Sequence, residues 1–111
     1  MNIYKIMTAD AWSEFQAQGR FTGAPIDLAD GYIHFSTATQ ATETAAKHFA
    51  GQTDLWLVWG EAPTDEALKW EVSRGGAEFP HLYRDWLLSE TTGHAALPWT
   101  GDAHDFPKDM A

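Results

Sequence analysis

The sequence has no cysteine. Disulfides and thiolate metal sites are thereby excluded, and the fold must rest on packing and hydrogen bonds. Cations are scarce as well. Seven Lys and Arg stand against sixteen Asp and Glu, giving a formal charge of −9 over 111 residues. Such a surface repels phosphate backbones and anionic lipid, so neither general nucleic-acid binding nor membrane binding is expected. No segment approaches the roughly 18 apolar residues of a membrane span. The amino terminus, Met1-Asn2-Ile3-Tyr4-Lys5-Ile6-Met7, lacks the features of a signal peptide, and a cytoplasmic location is the expectation. No internal repeat or low-complexity linker interrupts the chain. No Gly-x-Ser-x-Gly elbow points to a serine hydrolase. The five histidines, at 34, 48, 81, 94 and 104, lack the short spacing of a helical metal pair, so no metal is expected.

What the chain does have is apolar and aromatic mass. Hydrophobic residues make up 44% and aromatics 14%, enough for one domain over residues 1–111 with a proper core. Six tryptophans are many for this size. Trp is enriched where one edge stays wet, so some should line a groove or an interface. Residues 100–111 are acidic and polar apart from Phe106 and read as a loosely ordered tail.

Periodicity predicts a small α+β domain with a mixed sheet and two N-terminal helices. Ile3 to Met7 alternates as a strand. Thr8 can cap a helix with Trp12 and Phe15 on its apolar face, ending at Gly19. Residues 21–30, rich in Gly, Pro and Asp, suggest an irregular loop. Tyr32 to Ser36 reads as a strand. Thr37 and Gln40 fit a capping box for a helix that buries Ala38, Ala41, Ala45 and Phe49 and ends at Gly51. Asp54 to Trp59 is almost wholly apolar, as a central strand is when both faces are covered. Leu68 to Val72 is a further strand, and Arg74-Gly75-Gly76 a turn. Trp86 to Ser89 and His94 to Leu97 suggest a terminal hairpin.

Three stretches set ionisable groups among large apolar neighbours, where a group without a partner costs a few kcal/mol. They are Gly31 to Thr37, Lys69-Trp70-Glu71, and Phe79 to Tyr83. His34 shares a strand face with Tyr32 and Ser36. It is either a core histidine satisfied by one hydrogen bond or part of a ligand cradle. Ser36 and Thr37 at a helix start favour the cradle, since free N–H groups there attract an anion or a carbonyl oxygen. Glu71 either faces solvent on an alternating strand or is the carboxylate of a cleft wall, able to stabilise positive charge or act as a base. His81 lies in a segment anchored by Phe79, Leu82 and Tyr83, either an ordered loop plug or part of a site.

These residues, with Ile3-Tyr4-Lys5-Ile6 and Asp30-Gly31-Tyr32-Ile33-His34-Phe35-Ser36-Thr37-Ala38, resemble the bacterial domain-of-unknown-function 952 family over residues 3 to about 97. That family is similar to a minimal ADP-ribosyltransferase fold, a split α+β sheet holding NAD in a cleft. The resemblance implies that Glu71 stabilises the oxocarbenium-like transition state and that His34 grips the ribose or the carboxamide. It places Ser36 and Thr37 at the ligand and Tyr32, Trp70 or Tyr83 on a ring, with Arg74 and His81 as further ligand-binding candidates. Family members often carry His where this chain has Lys5. The implied function is binding of NAD or a related nucleotide, with cleavage of the nicotinamide–ribose bond if the domain is an enzyme. The alternatives are a non-enzymatic module for a small metabolite or peptide end, and a small partner subunit marked by an exposed Trp patch.

Overall fold

The computed structural model describes residues 1–110, apart from the side chain of Arg74. The alternation at the amino terminus becomes strand β1 (Asn2–Thr8), with Ile3, Tyr4, Lys5, Ile6 and Met7 all buried. Both of its faces are covered, so the polar position Lys5 needs a partner inside. Thr8 caps helix α1 (Ala9–Gln18) by accepting a hydrogen bond from the Ala11 N–H at 3.1 Å. The left-handed Gly19, φ 78°, ends the helix and donates to the Phe15 carbonyl.

The stretch expected as an irregular loop contains strand β2 (Arg20–Phe21) and helix α2 (Pro25–Asp30). Pro25 pre-sets the first helical turn, Asp27 reaches back to the Ala24 N–H at 2.7 Å, and Gly31 closes the last turn at φ 86°. The domain therefore has three α-helices among its described residues, where two were expected early in the chain. Strand β3 is only Ile33–His34. The Thr37–Gln40 capping box opens helix α3 (Ala38–His48), which buries Ala41 and Ala45 and stops three residues before Gly51.

Strand β4 (Leu55–Glu61) lies between β1 and β8 (Gly93–Ala96). Val58 faces one core cluster, with Trp12, Phe15, Phe35, Leu82 and Trp86. Leu55 and Leu57 face the other, with Tyr4, Ala41 and Ala45. The terminal hairpin does not form. Strand β7 (Trp86–Leu87) pairs with β2, whereas β8 pairs with β4, because the apolar run of β4 offers a longer partner than a local turn. Residues 100–110, expected as a loose tail, fold back. Trp99 bridges His104, whose Nε2 is 2.9 Å from the Gln52 carbonyl, while Phe106 and Met110 pack on the second cluster.

The second three-stranded sheet has the order β3-β6-β5, with β5 at Leu68–Val72 and β6 at Glu78–Leu82. The segment read as a loop plug is thus its central strand. Pro80 is tolerated there because its carbonyl accepts from the Phe35 N–H at 3.0 Å just beyond the end of β3, where the ladder stops. A Tyr4–Ser36 bridge joins the two sheets. All pairings among the described residues are antiparallel, in place of the mixed sheet expected.

Candidate functional site

Register decides what the second sheet presents. His34 stands opposite His81, and His81 opposite Lys69; Glu71 stands opposite Phe79. Opposed residues share a face, and so do residues two apart. One face therefore carries Tyr32, His34, Glu71, His81 and Tyr83. The other carries Ile33, Phe35 and Leu82, which enter the core. Trp70 belongs to that other face, opposite Pro80, and is 38% exposed. It is separated from the cluster, because its strand position has the opposite parity to Glu71.

The aromatic members pack closely. The Tyr32 ring is 4.2 Å from His81, 4.6 Å from His34 and 5.1 Å from Tyr83, and the two imidazoles are 5.4 Å apart. Glu71 Oε1 receives the Tyr83 hydroxyl at 2.7 Å and the His81 Nδ1 at 2.9 Å. The Tyr83 hydrogen bond, then that of His81, holds the Glu71 carboxyl below its ordinary value. The same bond to Glu71 pushes the Tyr83 phenol up to about 12.

Behind His34 lies a buried network absent from the sequence-based candidates. Asp27 is 1% exposed. Its Oδ1 accepts from the His34 backbone N–H at 3.0 Å and faces the His34 Nδ1 at 2.6 Å. Lys5 Nζ donates to Asp27 at 3.0 Å and to the His34 carbonyl at 2.8 Å. Burial opposes ionisation of Asp27, but the His34 hydrogen bond and the Lys5 charge prevail and bring it down to about 2. Burial pushes the Lys5 ammonium down, with Asp27 working against it. On the outer side, His34 Nε2 is 2.9 Å from Asp30 Oδ2. A short helix opened by Pro25 and closed by Gly31 was the signal for this carboxylate pair.

His34 and His81 line a cavity of about 460 Å³, together with Tyr32, Ser36, Asp30 and Thr44. Its size is that of a small-molecule site. An adjoining cavity of about 350 Å³ shares Lys5, Ile6, Ile26 and Phe49 with it. Ser36 faces the first cavity with its hydroxyl 3.0 Å from that of Thr44. Thr37 instead caps α3: its Oγ1 accepts from Gln40 N–H, and its own N–H donates to the Gln40 side chain. The capping box thus occupies two of the N–H groups expected to hold an anion there, those of Thr37 and Gln40. The Arg74 side chain lies outside the described residues. Among the described residues no three His, Asp or Glu gather as a metal site, and no helix is long and apolar enough to cross a membrane.

Solved structures of protein CC0527 from Caulobacter crescentus are similar. The crystal structure is 53% identical, with 95% of this chain and 94% of that one covered and a TM-score of 0.90. A double mutant of it matches with the same values. The solution structure is 54% identical over 93% and 90% of the two chains, with a TM-score of 0.83. No curated protein matches the sequence. The model of the family described as "Protein of unknown function (DUF952)" matches residues 6–93. Those residues contain all three motifs that build the polar–aromatic face, and the chain belongs to that family.

Proposed function

We propose that this is a cytoplasmic, ADP-ribosyltransferase-like domain that binds NAD or a related nucleotide and cleaves the nicotinamide–ribose bond. The observation that carries the reading is the single sheet face joining Tyr32, His34, Glu71, His81 and Tyr83. Tyr32, His34 and His81 line the cavity of about 460 Å³, while Glu71 and Tyr83 stand outside its lining, joined to it through His81. Two adjoining cavities suit a ligand made of two halves. Departure of nicotinamide leaves positive charge on the ribose. Glu71, ionised and held by two hydrogen bonds, supplies fixed negative charge beside it. His34, with both ring nitrogens held by Asp27 and Asp30, is placed to contact the ribose or the carboxamide through its ring face.

Two measurements test this: nicotinamide release from NAD and a parallel binding titration. Glu71→Gln keeps the shape and removes the charge. It should fold normally, still bind NAD, and lose roughly a hundredfold or more of the release rate. Equal rates in variant and wild type would refute the role of Glu71. Binding without release by the wild type would favour the non-enzymatic module.

A further inference from the structure

The two histidines of the site are not equivalent. Both ring nitrogens of His34 face carboxylates, Nδ1 at 2.6 Å from Asp27 and Nε2 at 2.9 Å from Asp30. His34 thus offers no lone pair to a ligand. His81 has one carboxylate only, with Glu71 Oε1 2.9 Å from Nδ1. An ionised carboxylate only accepts, so the neutral ring carries its proton on Nδ1 and a lone pair on Nε2. Among the described residues nothing hydrogen-bonds that Nε2. The one fully enclosed side-chain nitrogen or oxygen without a partner among them is Trp86 Nε1. His81 Nε2 is therefore not sealed in protein, and the ring lines the cavity.

We propose that Glu71 and His81 form a carboxylate–imidazole pair whose Nε2 accepts the proton of a hydroxyl group, from water or an alcohol, bound in the cavity. In this pair Glu71 is a positioning residue in addition to its charge. It fixes the tautomer, and the Tyr83 hydroxyl, 2.7 Å from the same oxygen, fixes Glu71. The Tyr32 ring, 4.2 Å away and tilted by 34°, holds the imidazole plane. This is the arrangement of a general base steered by a third group. Its use on NAD rests on the reading above. There the water oxygen bonds to the ribose C1′ and its proton passes to Nε2. The electron pair of the C1′–N bond goes to nicotinamide, which leaves neutral.

The test needs no variant to begin. Long-range ¹H–¹⁵N correlation spectra of the labelled wild type, recorded well above neutral pH, should show His81 protonated at Nδ1 and bare at Nε2. Glu71→Ala should shift the ring toward the Nε2–H form. A wild type protonated at Nε2, or a tautomer unmoved by Glu71→Ala, overturns the proposal. Where nicotinamide is released, His81→Gln should lower kcat roughly a hundredfold or more with KM little changed. An unchanged kcat overturns the base. A wild type that releases none removes the NAD reading alone, and the tautomer still decides the pair.

Discussion

Asp27 is the residue on which most of the site's internal order depends. It takes hydrogen bonds from the Ala24 and His34 backbones, orients the His34 ring and balances Lys5. Breaking a buried ion pair from one side leaves the other charge uncompensated. Asp27→Asn should therefore cost about 3–5 kcal/mol, read as a fall in thermal midpoint. The pH dependence has a definite sign. The carboxyl titrates at about 2 in the fold against 3.8 ordinarily, so its contribution is complete above pH 3.8 and lost as pH falls toward 2. That contribution is roughly 2 kcal/mol. In an acid titration the gap between wild type and variant should narrow by about 2 kcal/mol across that window; a constant gap down to the lowest pH would contradict this account. The sequence displayed His34, Glu71 and His81, because an ionisable residue between large apolar ones is visible in the local string. Asp27 was not visible, because its partners Lys5 and His34 lie 22 and 7 residues away. Lys5, buried on β1, is answered by that partner.

At the scale of elements, local rules worked where the signal was local. The caps at Thr8 and Thr37 and the strands β1, β4 and β5 were legible from side chains a few residues apart. Strand β6 was obscured by Pro80, whose place at the end of a short ladder depends on the neighbouring chain. The expected terminal hairpin failed for the same reason, since β8 pairs with a strand more than thirty residues earlier. A close backbone approach also escapes pattern reading. A Cβ on Gly60 would lie 2.1 Å from the Glu90 carbonyl oxygen, so β4 passes that segment only as glycine. Gly60→Ala should destabilise the protein by about 1–3 kcal/mol in a denaturant titration. An unchanged midpoint would show that the segment yields without cost.

For the whole molecule, the joining of two antiparallel sheets at Tyr4 and Ser36 decides where a ligand can sit. The core fills both faces of the first sheet and one face of the second. The remaining face, bordered by α2 and α3, is left for the polar–aromatic cluster and its cavity. Of the tryptophans, Trp70 is exposed while the other five are buried or half-buried, so no exposed Trp patch marks a partner surface. The central claim is that this face binds NAD or a related nucleotide. Titrating NAD into ¹⁵N-labelled protein tests it most directly. Saturable shifts should concentrate at Tyr32, His34, Ser36, Glu71 and His81, with little change at Trp70 and Val72 on the reverse face. A spectrum unmoved by NAD and related nucleotides, or shifts confined to residues away from the cavity, would contradict it.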